Sequence, residues 1–291
     1  SFLIIDYKGG GLADAFESVE RVSENGKIIE KTVKLPHLAG TVTNLDGATI
    51  ERSRISIESE LKRRQNLFKK ARKISGEGTM DIYKYQKLRR NGADFEALPH
   101  LFIVCDEFAE LKSQQPEFMD SLVSTARIGR SLGVHLILAT QKPDSVVSPQ
   151  IWSNSRFKIC LKVQDRADST AVIRCPDAAE IQATGRFYLQ VGYNELFSLG
   201  QSAWCGADYT EQGRIQNKAV KSAELINSTG TVLCEKKIKD NTGSNNEHVS
   251  SELVEVRQYL ISMAGTIQIR PLWLLPLPSF ISLVQLYNEY G

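Results

Sequence analysis

The run Leu101-Phe102-Ile103-Val104-Cys105-Asp106-Glu107 constrains the chain most, because an unbroken apolar stretch ends there in two adjacent carboxylates. A short apolar run rich in branched side chains predicts a strand covered on both faces, as in a parallel sheet. Two other runs share the pattern. Phe2–Ile5 leads into Asp6, and Val134–Ala139 leads into Thr140 and Gln141. Paired in parallel, the three strands would bring these polar side chains to one carboxyl edge, where open α/β sheets bind ligands.

The intervening segments read as helices. In Glu51–Lys73, Ile57, Leu61, Arg64 and Phe68 recur at helical spacing. The basic end of this segment, Lys62–Lys73, fits either a solvated face or a contact with a nucleotide or neighbouring subunit. Pro116–Leu132 presents Phe118, Leu122, Ala126, Ile128 and Leu132, and Gly133 stops it. Further strands are predicted at Phe157–Val163 and Arg186–Val191. This alternation predicts a doubly wound α/β domain over residues 1–209. Residues 210–268 read as a linker, polar over Glu235–Ser251, with a short helix at Ser250–Met263. Residues 269–291, with the apolar stretch Trp273–Pro278, read as the opening of another module. Because a strand pattern begins directly after Ser1, the sequence reads as cut within a domain.

Charge and cysteine content narrow the function classes. Lys and Arg total 36 against 34 Asp and Glu, so the net charge of +2 supplies no field for nucleic acid or an anionic membrane, and no nucleic-acid partner is expected. The 5 cysteines form no C-x-x-C pair and lack disulfide or zinc spacing, which fits a reducing compartment. His37, His100 and His135 are dispersed in the sequence and suggest structural roles. No run approaches the roughly 20 apolar residues of a membrane-spanning helix.

An apolar strand ending in Asp106-Glu107 has the form of a Walker B element. There the first acid helps hold a hydrated magnesium ion and the second polarises the attacking water. By itself such a pair also fits a cap on the following helix. One helix and one strand later, Gln141 falls where a side chain could sense a terminal phosphate, although it also fits an ordinary strand exit. The loop that should accompany these residues, G-x-x-x-x-G-K-[ST], does not occur in the sequence. In Lys8-Gly9-Gly10-Gly11 the Lys precedes the glycines and no Ser or Thr follows, so it reads as a turn. In a P-loop fold the phosphate loop is expected just upstream of Ser1, and the chain alone is expected to be inactive.

Several runs carry a specific resemblance. Ile4-Ile5-Asp6-Tyr7-Lys8-Gly9-Gly10-Gly11, Leu35-Pro36-His37-Leu38 through Gly47, Pro99-His100-Leu101 into Asp106-Glu107-Phe108, and Gly133-Val134-His135 through Pro143 resemble the first ATPase module of the EssC/EccC proteins of type VII secretion. Those proteins fall within the FtsK/SpoIIIE superfamily. Ile269-Arg270-Pro271-Leu272-Trp273 is similar to the entry into the second module.

The resemblance implies a RecA-like P-loop NTPase core with a mainly parallel sheet. It implies a membrane-associated motor at the cytoplasmic face of the bacterial membrane that hydrolyses ATP with Mg2+, assembles as a hexamer and exports small WXG-type helical hairpins with membrane components of the secretion system. It assigns Asp106 to the magnesium ion through water, Glu107 to catalysis and Gln141 to sensing. An arginine acting on a neighbour's nucleotide would come from Arg54, Arg63, Arg64, Arg127 or Arg130. Two alternatives stay open: a DNA translocase of the same superfamily, and a non-catalytic assembly or regulatory module. Glu17–Lys34, with Asn25-Gly26 as a hairpin turn, departs from the family pattern and reads as a surface insertion.

Overall fold

The computed structural model describes residues 1–7, 11–24, 27–43, 47–144, 146–193, 195–204, 222–226, 232–237, 248–265 and 269–273. The chain divides into two units, Ser1–Ser202 with Thr266–Gly291, and Ala203–Gly265.

The first unit opens with β1 (Phe2–Asp6), α1 (Gly11–Phe16), β2 (Glu17–Glu24), β3 (Lys27–Lys34) and β4 (Leu38–Thr43). It continues through α2 (Gly47–Ser75), α3 (Ile82–Arg90), β5 (Leu101–Asp106), α4 (Phe108–Gln114), α5 (Pro116–Leu132) and β6 (Val134–Leu138). Then follow α6 (Pro149–Asn154), β7 (Phe157–Leu161), α7 (Arg166–Ile173), β8 (Arg186–Val191) and β9 (Leu196–Gln201). The main sheet has the order β4-β1-β5-β6 with every pair parallel. The three apolar runs are adjacent strands of this sheet, and β4, which no pattern in the sequence announced, closes its edge. Leu3, Ile5, Ile103 and Cys105 are fully buried, the price in backbone order being offset by removal of their side chains from water.

The α2 stripe turns inward as its spacing predicts, since Ile57, Leu61, Arg64 and Phe68 are all buried. In α5, Pro116 occupies the first turn and Gly133 ends the helix in the left-handed region at φ 72. A Cβ at Gly133 would stand 2.7 Å from Ile82 Cγ1, so the position requires glycine twice over. The buried face of α5 includes Met119, Val123, Thr125 and Gly129, whereas Ile128 is exposed. Phe118, Leu122 and Leu132 of the expected stripe are buried, and burial is wider than that stripe because α5 packs against both β6 and α2. The sequence did not announce α3. Only Ile82 and Tyr85 are buried in it, too few for an apolar period, and its start is fixed by Asp81, whose carboxylate accepts from Lys84 N at 2.9 Å.

β2 and β3 form an antiparallel hairpin with Glu24 opposite Lys27. The expected turn residues Asn25 and Gly26 lie outside the described residues. The described part of the segment expected to open another module runs along β4, where Leu272 N donates to Ala39 O at 3.0 Å. Trp273 lies so close over Gly40 that a Cβ there would meet its ring at 2.8 Å.

β7, β8 and β9 make a separate antiparallel sheet in that order. Lys158 and Cys160 face a small second core with Ile173, Ala178 and Ile181. The second unit contains the hairpin of β10 (Ser222–Ile226) and β11 (Val232–Lys237), and α8 (His248–Ala264). The expected linker at Glu235–Ser251 is thus corrected at both ends, Glu235–Lys237 being strand and residues from His248 onward helix. Residues 238–247 and the expected domain limit at Tyr209 lie outside the described residues.

Candidate functional site

Parallel pairing in register places Asp6 beside Asp106 at the carboxyl ends of β1 and β5. Asp6 is buried, and its Oδ2 accepts from Leu12 N at 2.9 Å, which ties the start of α1 to the sheet edge. Sequence reasoning placed Asp6 on this edge without giving it a role. Its signal was the shared strand-end position.

Glu107 leaves β5 in the left-handed region, at φ 54 and ψ 60. That backbone turn bears on the capping reading of the carboxylate pair. Although Glu107 occupies the N-cap position of α4, its side chain makes no capping bond. The carboxylate instead crosses to the exit of β6. Thr140 Oγ1 donates to Glu107 Oε1 at 2.6 Å, and Gln141 N donates to Oε2 at 3.2 Å. Backbone bonds hold the two exits in place, with Ala139 N donating to Cys105 O and Phe108 N to Ala139 O, each at 2.9 Å. Gln141 therefore stands beside the acids as its spacing suggested, with its side chain exposed. Thr140, the direct partner of Glu107, was visible in the sequence only as a polar residue at a strand end.

Beneath the acids, burial pushes the Cys105 thiol up to about 12, with Asp106 and Glu107 adding to the effect. Cys105 is thus a protonated core residue and not a nucleophile. Burial, then Cys105, also raises the Tyr7 phenol.

The donors at this edge are carboxylate and hydroxyl oxygens, which suit a hard cation. Among the described residues no group of three His, Cys, Asp or Glu converges as a metal cage. The paired strand-end carboxylates of Asp6 and Asp106 fit magnesium, which keeps several waters and is held by one or two carboxylates together with substrate phosphates.

The arginines separate into distinct environments. Arg64 is only 2% exposed, and it donates to Leu132 O and Pro99 O at 2.9 Å each and to Glu60 at 2.7 Å. It satisfies the carbonyl end of α5 from within the core and is unavailable to a neighbouring subunit, which corrects its inclusion among the trans-acting candidates. Arg63 is held by Glu60 and Glu96 at 2.7 and 2.8 Å. Both Arg63 and Arg64 bind to segments that precede β5 or β6, at the sheet edge opposite the acids. Arg54 pairs with Glu51 and, at 2.8 Å, with Glu58, while Arg127 and Arg130 are exposed on α5. The basic residues Lys69, Lys70, Arg72 and Lys73 at the end of α2 are exposed.

The histidines are less dispersed than the sequence suggested. His100 Nδ1 and His135 Nε2 lie 2.8 Å apart, and the His135 ring stacks on Phe102 at 4.9 Å. Phe102 in turn stacks on Phe2, which meets His37 edge-on at 5.5 Å. The row belongs to the amino edge of the sheet and has a packing role.

Residues 1–145 match the FtsK/SpoIIIE family. The chain belongs to this family. It is 48% identical over 286 residues, 96% of its length, to the type VII secretion system protein EssC of Staphylococcus aureus. The chain spans 18% of that relative's length. Among solved structures, the cytoplasmic domain of the Thermomonospora curvata type VII secretion ATPase EccC is 30% identical, with a TM-score of 0.55, covering 69% of this chain and 21% of that one. ATPases 2 and 3 of Geobacillus thermodenitrificans EssC share the fold at 18% identity, with a TM-score of 0.60, covering 99% of this chain and 42% of that one. This FtsK/SpoIIIE chain thus has the mixed α/β architecture of P-loop ATPase domains. Among its described residues no helix is long and apolar enough to cross a membrane.

Proposed function

We propose that the chain supplies the hydrolytic sheet edge of an ATP-driven motor module in a type VII secretion system. The observation that carries this reading is the placement of Glu107, which forgoes its helix cap and is tied to Thr140 and Gln141 beside Asp106. Asp106 would hold Mg2+ through water. When bound, that ion would supply charge neutralisation at the phosphoryl oxygens. Glu107 accepts a proton from the attacking water and orients it, and the Gln141 side chain contacts the terminal phosphate. Arg54, Arg127 and Arg130 are the arginines that could reach a neighbouring subunit's nucleotide. The relatives' names support a place in a type VII secretion system, and the resemblance read from the sequence extends the proposal to a hexameric, membrane-associated assembly that works at the cytoplasmic face and drives export of WXG-type substrates.

The test is single-turnover hydrolysis of radiolabelled ATP by the protein that carries this chain, with Glu107→Gln beside the natural residue. The variant is expected to bind ATP and to slow turnover at this site by at least about a hundredfold, the usual size of a lost general base. Unhydrolysed ATP should then accumulate at one additional site per chain. A time course identical to that of the unsubstituted protein would make the module non-catalytic.

A further inference from the structure

We propose that Thr140 is the positioning residue of the Glu107 carboxylate and couples it to the phosphate-sensing exit of β6. This inference rests on the hydrolytic reading of Glu107.

Three observations converge on Thr140. Its hydroxyl donates to Glu107 Oε1 at 2.6 Å, the short distance typical of a charge-assisted bond to a carboxylate. The same oxygen accepts from Lys142 N at 3.2 Å, which fixes the hydroxyl within a local turn and leaves its hydrogen directed at the glutamate. Glu107 is itself 9% exposed, with a backbone in the left-handed region, and no cap on α4 restrains its side chain.

Chemistry follows from this geometry. A carboxylate that orients water must present one lone pair in a fixed direction, and an error of about 1 Å in such a group costs on the order of a hundredfold. Thr140 engages Oε1, and Gln141 N bridges toward Oε2, so rotation of the carboxylate is arrested from one side. Both restraints come from consecutive residues of one strand exit. A phosphate that draws the Gln141 side chain therefore moves the backbone N–H and the neighbouring hydroxyl that hold Glu107. Sensing and water activation share one mechanical element, and Thr140 is its side-chain link.

The experiment compares steady-state ATP hydrolysis by the protein that carries this chain for Thr140→Val, Thr140→Ser and Glu107→Gln, taking the Glu107→Gln rate as the background from other sites. The Glu107-dependent kcat is expected to fall roughly tenfold in Thr140→Val, with KM for ATP changed by less than about twofold, and to return in Thr140→Ser. A residue that merely supported folding would lower active protein in both variants and would not be rescued by the hydroxyl alone. If Glu107→Gln abolishes a component of hydrolysis while Thr140→Val retains it in full, the positioning role fails and the hydrolytic reading stands. Equal losses in Thr140→Val and Thr140→Ser likewise overturn the role. If Glu107→Gln removes nothing, both proposals fall together.

Discussion

Glu107 and Arg64 show how differently two charged residues can be employed within one core. Glu107 holds a left-handed backbone, which costs a non-glycine residue about 1–3 kcal/mol, and the surrounding bonds to β6 sustain it. Strain of that kind, met at the sheet edge that binds ligands in this architecture, accompanies a side chain aimed away from its own helix. Titration at the opposite edge offers a test at the same scale. Burial lowers the affinity of His100 and His135 for protons, with Arg64 and the amino terminus adding for His100, and His100 and Arg64 adding for His135. Both fall below the ordinary value of 6.5, so below that pH the unfolded chain binds more protons than the folded one. Stability is therefore full above pH 6.5 and declines as acid carries the pH down toward the folded-state values. Melting temperature recorded against pH should drop in this window, and His135→Gln should flatten the drop. A curve that is level from about pH 7 to 5 would contradict the lowered proton affinity of this half-buried histidine pair.

At the scale of elements, α2 is the beam that organises the sheet. Its Arg64 reaches the carbonyl end of α5 and the approach to β5 at once, so that one guanidinium secures three segments. Burying a cation is costly, and here the carbonyls and Glu60 compensate it. Arg64→Ala would leave Glu60 to Arg63 alone and strand the α5 carbonyls, at a cost of about 1–3 kcal/mol. Urea denaturation measures this directly, and a loss below about 1 kcal/mol would show that water replaces the guanidinium. The residue appeared in the sequence as a member of a helical stripe and, through the family resemblance, as a trans-acting candidate. The stripe was the better guide, because periodicity reports which side of a helix faces the core whatever the chemistry of the side chain. By contrast, α3 and β4 escaped notice, since the first buries too little and the second mixes Gly and Thr with its apolar residues.

For the molecule as a whole, the main sheet and the β7–β9 sheet differ in how much of their apolar surface is covered. Phe157, Ile159 and Leu161, at alternate positions of β7, are 68%, 60% and 54% exposed. Patches of this sort promote association. Replacing Ile159 by Ser should raise the concentration at which the chain remains dispersed in light scattering and reduce its binding of a hydrophobic dye. An unchanged result would mean that another part of the protein covers the face.

The sequence alone determined the alternation of strands and helices, the three adjacent core strands, and the edge on which Asp6, Asp106, Glu107 and Gln141 would gather. These properties are local, since apolar runs and their polar ends report strand burial directly. Tertiary structure decided that Glu107 serves the β6 exit instead of its own helix, that Thr140 holds it, that Arg64 is a buried clip, and that His100 meets His135. Each of those outcomes depends on distances between residues more than thirty positions apart, which only parallel pairing and helix packing bring together. No local pattern encodes such distances.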